Sequence, residues 1–124
     1  MRRTILIAGI LLLILLFFVP TAMAAERYRL TFPEPVWVGS VLLPAGEYDV
    51  RHLGKSARHA MEFIQRETRS PARARARCLG VKLVMAMSHT LVGYSLNDRG
   101  ERVLRRLSFG GESVEHRFDP GRRP

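Results

Sequence analysis

The 124-residue chain predicts an all-β fold: a single antiparallel β-sandwich or small barrel of about seven or eight strands, following an N-terminal signal peptide. Three observations predict it. Apolar and polar residues alternate with period two in one short segment after another. Clusters of Gly, Pro, Asn and Asp separate those segments at intervals near ten residues. The chain lacks the repeated helix-strand alternation that a parallel α/β sheet requires.

The first 24 residues read as an export signal. Met1-Arg2-Arg3 is a positive n-region, Ile5 to Val19 an unbroken apolar run, and Ala22-Met23-Ala24 a small-x-small cleavage site. The apolar run counts 15 residues, short of the roughly 20 that a spanning helix needs. Cleavage after Ala24 is therefore expected, with no membrane span afterwards and a periplasmic or extracellular destination. The sole cysteine, Cys78, lies far from that site, so a lipoprotein anchor has no acceptor thiol there. Residues 25–118 form one domain, large enough to bury a core without metal or disulfide help. Residues 119–124 read as a frayed basic tail.

Within the domain, Tyr28, Leu30 and Phe32 alternate with Arg27, Arg29 and Thr31, which marks a first half-buried strand. Pro33-Glu34-Pro35 interrupts it, since proline donates no ladder hydrogen bond. Val36-Trp37-Val38 and Val41-Leu42-Leu43 are short strands about a Gly39-Ser40 turn. Pro44-Ala45-Gly46 then reads as the corner of a β-hairpin, with Tyr48 and Val50 alternating against Glu47, Asp49 and Arg51. After Gly54-Lys55-Ser56, Arg58 to Gln65 returns with Met61 and Phe63 opposite Glu62 and Ile64.

Residues 70–87 admit two readings. Ser70 as N-cap and Pro71 at the first helical position, with Ala and Arg following, favour a helix. A strand would put Arg73, Arg75 and Arg77 on one face and Ala72, Ala74, Ala76 and Cys78 on the other. Gly80, Val81 and Val84 weaken the helix, and the strand is preferred. His89 to Leu96 and Arg102 to Phe109 then pair across Asn97-Asp98-Arg99-Gly100, with Gly100 suited to the left-handed position. Val114, His116 and Phe118 make a last alternating strand after Gly110-Gly111.

The run Phe32-Pro33-Glu34-Pro35-Val36-Trp37-Val38-Gly39, with Leu43-Pro44-Ala45-Gly46-Glu47-Tyr48-Asp49-Val50 after it, resembles the N-terminal half of small exported, uncharacterised bacterial β-proteins of the acidobacterial type. Those carry a Phe-rich strand and a Leu-Pro-Ala-Gly-x-Tyr-x-Val corner. The resemblance implies a β fold and export, and no activity comes with it.

Lys and Arg number 20 against 11 Asp and Glu, a formal net charge of +9, of which the signal holds Arg2 and Arg3. Such a charge favours anionic surfaces, and in an exported protein these are envelope or extracellular components. In the strand reading Arg73, Arg75 and Arg77 stand about 6.7 Å apart on one face, preceded by Arg66 and Arg69. Guanidinium forks at that spacing suit carboxylates or phosphates along an acidic polymer. The alternative role for such outward charge is protection of an edge strand. No aromatic residue interleaves the arginines, which disfavours single-stranded nucleic acid.

Catalytic constellations are missing from the sequence. There is no Gly-x-Ser-x-Gly elbow and no phosphate loop, and Cys78 has no histidine near it in sequence. A lone cysteine in an oxidising compartment is either a buried small hydrophobe or an intermolecular bridge. Among the four histidines, His52, His59, His89 and His116, no pair has the i, i+2 or i, i+4 spacing of a local metal motif. His52 and His59 can meet across the Gly54 turn, with Glu62 or Asp49 nearby. The leading expectation is thus a non-enzymatic envelope module without a cofactor, contacting acidic polymers through Arg66, Arg69, Arg73, Arg75 and Arg77. The alternative is an exported metal-binding protein using His52, His59 and His116.

Overall fold

A computed structural model describes residues 27–119. The signal at 1–24 lies outside the described residues, as does the tail beyond Asp119. The described residues form nine strands: β1 (Arg27–Phe32), β2 (Val36–Val38), β3 (Val41–Leu43), β4 (Gly46–Leu53), β5 (Arg58–Gln65), β6 (Arg73–Lys82), β7 (Leu91–Leu96), β8 (Arg102–Ser108) and β9 (Val114–Phe118). They make one open sheet in the order β1-β4-β5-β6-β9-β8-β2-β3, with β7 paired to β8. The pairings are antiparallel except β2 with β8, where the sheet turns back over β6. Among the described residues no helix is long and apolar enough to cross a membrane.

Alternation in sequence becomes two-sidedness in space because a strand sends successive side chains to opposite faces. In β6 the rule is followed residue by residue: Arg73, Arg75, Arg77 and Leu79 are exposed, and Ala74, Ala76 and Cys78 are buried. The preferred strand reading of residues 70–87 therefore holds for Arg73–Lys82. Helix propensity in its Ala-Arg repeat yields to the burial of one apolar face between β5 and β9. β9 pairs only with Cys78–Lys82, so Arg73, Arg75 and Arg77 lie on a stretch of β6 laddered to β5 alone, with Gly39 of the β2–β3 turn packed near its other side.

The inner faces share one core, in which Phe32, Val36, Val38, Leu43, Tyr48, Val50, Met61, Phe63, Leu104, Leu107 and Phe109 are almost wholly buried. Each large side chain so removed from water contributes roughly 1.5–3 kcal/mol. Phe32 touches Tyr94 and Tyr28 stacks on Phe109 at 4.1 Å, joining the β1 end of the sheet to β7 and to the residue after β8.

The Pro44-Gly46 corner is not a hairpin. β3 pairs with β2 and β4 pairs with β1, so the corner carries the chain from one end of the sheet to the other. Its local chemistry matches expectation even so. Gly46 takes φ +149°, and the Tyr48 hydroxyl donates to the Pro44 carbonyl at 2.5 Å, bracing the turn from within the core. The β7-β8 hairpin forms as expected, with Gly100 at φ +76° and the Asn97 side chain accepting from the Arg99 and Glu101 amides.

Candidate metal centre

Four strands bring their inward side chains to one end of the core, where β4 turns into β5. His52 is next to last in β4, and His59 is second in β5, across the Gly54 turn. Register places His59 opposite Cys78 of β6, and His116 of β9 opposite Gly80, two residues further along β6. All four side chains fall on the inner face because each differs by an even number from a core neighbour: Val50, Met61, Ala76 and Phe118. Gly80 adds no side chain there, and the imidazoles of His59 and His116 close over the gap, their centroids 5.2 Å apart.

The ligand atoms of His52, His59 and His116 all lie within 4.8 Å of one another. His52 Nδ1 is 3.0 Å from His59 Nε2. Cys78 Sγ is 3.3 Å from His59 Nε2 and 4.0 Å from His116 Nδ1. His116 and Cys78 are buried, whereas His52 and His59 are only half-buried and give the cluster its access to solvent.

The outward nitrogen of each ring faces an acceptor. His116 Nε2 is 3.2 Å from Glu112 Oε2, His52 Nε2 is 3.5 Å from Glu112 Oε1, and His59 Nδ1 is 3.0 Å from the Ser56 carbonyl. Glu112 is itself fixed by a short hydrogen bond from the Tyr28 hydroxyl. Assigning tautomers from this network puts an N–H on His116 Nε2 and His59 Nδ1 and a lone pair on His116 Nδ1 and His59 Nε2. The His59 Nε2 lone pair is met by His52 Nδ1 at 3.0 Å and by the Cys78 thiol at 3.3 Å, either of which can donate to it. Turning the His59 proton inward would leave its outward lone pair against the Ser56 carbonyl. A metal ion between the rings would replace those donors and be met by the inward lone pairs.

Electrostatics follow from burial. Burial pushes the His116 imidazole below its ordinary value, with Glu112 opposing, which favours the neutral, ligating form. Burial alone would raise the Glu112 carboxyl, but hydrogen bonds from Tyr28 and His116 hold it below the usual range. The Cys78 thiol is pushed up to about 12 by burial, so without a bound cation it is a neutral thiol and a poor nucleophile.

Two sequence expectations about this region change. The carboxylate serving the histidines is Glu112, not Glu62 or Asp49, which project from the opposite face toward Arg51, Arg75 and Arg66. Cys78 does have histidine neighbours, delivered by strand pairing. His89 lies in the exposed segment between β6 and β7, outside the cluster.

The five arginines do not form one uniform surface. Arg73, Arg75 and Arg77 share the exposed outer face of β6 as expected, and Arg69 is exposed in the preceding turn. Arg75 is bound to Glu62 at 2.8 Å, within a cross-strand row Arg51-Glu62-Arg75. Arg66 turns away to Asp49 at 2.8 Å. Acidic partners thus answer two of the five.

Comparison with protein-family models, with curated proteins and with solved structures finds no match. The functional reading therefore rests on the geometry of the site.

Proposed function

We propose that this chain is an exported, non-catalytic module that binds one transition-metal ion between His52, His59 and His116. The observation that carries the reading is the meeting of three imidazoles, whose ligand atoms lie within 4.8 Å of one another, with His59 and His116 oriented by hydrogen bonds to the Ser56 carbonyl and the Glu112 carboxylate. Outer partners of that kind fix the tautomer and raise the basicity of metal-binding imidazoles. An ordinary buried histidine needs one or two hydrogen-bond partners. Three rings at one spot go beyond that need. Imidazole donors suit zinc, copper, nickel and iron in preference to calcium or magnesium.

The test is metal analysis of protein produced with its own signal and purified without a polyhistidine tag, after exposure to Zn(II) or copper and removal of the excess. About one equivalent per chain is expected, falling to background in the His52→Ala, His59→Ala double variant. A folded wild-type protein that retains no metal, or a double variant that retains as much, overturns the reading. An acidic envelope polymer is the partner that the outer face would take, through Arg69, Arg73 and Arg77. The ion pairs at Arg66 and Arg75 make that face the weaker basis for a function.

A further inference from the structure

We propose that Cys78 is the fourth ligand of this centre, so that the site is a closed set of three imidazoles and one thiolate selecting a thiophilic ion, Cu(I) or Zn(II). The inference rests on the histidine reading above and extends it from a metal site to a class of metal.

Geometry carries it. Bond lengths of about 2.0–2.1 Å to nitrogen and 2.3 Å to sulfur in a tetrahedral centre put neighbouring nitrogens about 3.3 Å apart and nitrogen and sulfur about 3.5 Å apart. The distances found are 3.0 Å for His52 Nδ1 to His59 Nε2, 3.3 Å for Cys78 Sγ to His59 Nε2, and 4.0 Å for Cys78 Sγ to His116 Nδ1. These three lie within about half an ångström of a tetrahedral edge, whereas the three histidine ligand atoms spread by up to 4.8 Å, so closing the set around an ion draws the imidazoles inward. The sulfur approaches both rings on the nitrogen that the hydrogen-bond network leaves as a lone pair. Cys78 comes from β6, an interior strand held on both sides, so its position does not depend on a mobile loop.

The donor set narrows the ion. Soft thiolate favours Cu(I) and Zn(II), whereas Mg(II), Ca(II) and Mn(II) want carboxylate, carbonyl and water oxygens. The nearest carboxylate, Glu112, already accepts from Tyr28 and His116 and lies behind the rings. Four protein ligands also leave no coordination position for a water to be activated. Such a site holds or hands on an ion, in keeping with a non-catalytic module.

Co(II) supplies the probe for coordination and Cu(I) the probe for selectivity. Metal-free wild-type protein titrated with Co(II) is expected to develop an intense near-ultraviolet thiolate-to-metal charge-transfer band together with the visible bands of tetrahedral cobalt. Cys78→Ser is expected to lose the charge-transfer band and to bind Cu(I), in competition with a chromophoric chelator, more weakly by at least the roughly 10–100-fold that loss of an outer partner alone costs. The wild-type spectrum needs no variant, and Cys78→Ala serves as a second replacement should serine disturb folding at this buried position. Stoichiometric Co(II) binding without the charge-transfer band, or a Cys78 variant holding Cu(I) as tightly as wild type, overturns the role of Cys78 and leaves the three-histidine site standing. Failure of the wild-type protein to bind Co(II), Zn(II) or Cu(I) overturns both.

Discussion

Glu112 orients His116 by a hydrogen bond and places its other oxygen 3.5 Å from His52. One oxygen accepts from His116 Nε2 and the other faces His52 Nε2, while the Tyr28 hydroxyl, carried on a ring stacked against Phe109, keeps the group from rotating. Replacing it by glutamine preserves shape but puts an amide NH2 in place of one oxygen, so one ring meets a donor and must turn over. Glu112→Gln is expected to weaken metal binding about 10–100-fold, with little change in the circular-dichroism spectrum. Chelator competition measures it, and unchanged affinity would show that Glu112 does not set the tautomers. No local sequence signal marks Glu112 as their partner. It sits after a Gly-Gly turn, four residues from His116, a spacing that puts two groups on one face of a helix but carries no such meaning beside a strand.

At the scale of the element, β6 does two things with its two faces. Its outer face presents Arg73, Arg75 and Arg77, and its inner face runs from small core residues into Cys78 and Gly80. Gly80 is the opening in the wall: a Cβ there would lie 3.3 Å from Val114 Cγ1 and 3.7 Å from the Cε1 of His59. Alanine asks its neighbours to give by a few tenths of an ångström. Valine pushes methyl groups into the His59 ring. Gly80→Val is expected to cost about 1–3 kcal/mol of stability, the usual range for overpacking, and to weaken metal binding about tenfold as His59 is displaced, with Gly80→Ala close to wild type. Urea unfolding together with chelator competition reads both quantities. A Gly80→Val protein that binds metal normally would mean that the His59 position is not limited by this gap. Strand spacing makes β6 legible in the sequence, while its neighbours are not: nothing local announces that β9 rather than β7 lies beside it.

For the whole molecule, acid is the informative perturbation. Burial lowers the His116 imidazole. Burial would raise Glu62, but the hydrogen bonds and charges of Arg75 and Arg51 outweigh it and hold the carboxyl below its ordinary value; Glu112 is lowered in the same manner. Each group binds its proton less readily in the fold than in the unfolded chain. Their stabilisation is therefore full above the unfolded values, about 6.5 for histidine and about 4.3 for glutamate, and is lost as pH falls through the lower native ones. Metal-free protein is expected to lose stability in two stages, beginning below about pH 6.5 and steepening below about 4.3. Glu62→Gln should flatten the second stage and cost about 1 kcal/mol at neutral pH, below the usual range for charged hydrogen bonds because Arg75 and much of Arg51 are solvent-screened. Denaturant melts at a series of pH values test this, and stability that stays level between neutrality and pH 4 would contradict it.

The fold class was written in the chain because period-two alternation and Gly/Pro punctuation are local properties, each readable within one strand. So were the Gly100 turn and the inward set of Tyr48, Val50, Met61 and Phe63, whereas residues 70–87 read as strand only by preference over a helix. The sequence also named His52, His59 and His116, yet it offered two carboxylates on the wrong face, left Cys78 isolated, and read the Pro44 corner as a hairpin. Those matters turn on which strand pairs with which, and in what register. Pairing is decided by burying every inward face in one core, so only the folded chain places β4, β5, β6 and β9 side by side and makes three histidines, a cysteine and Glu112 into one site.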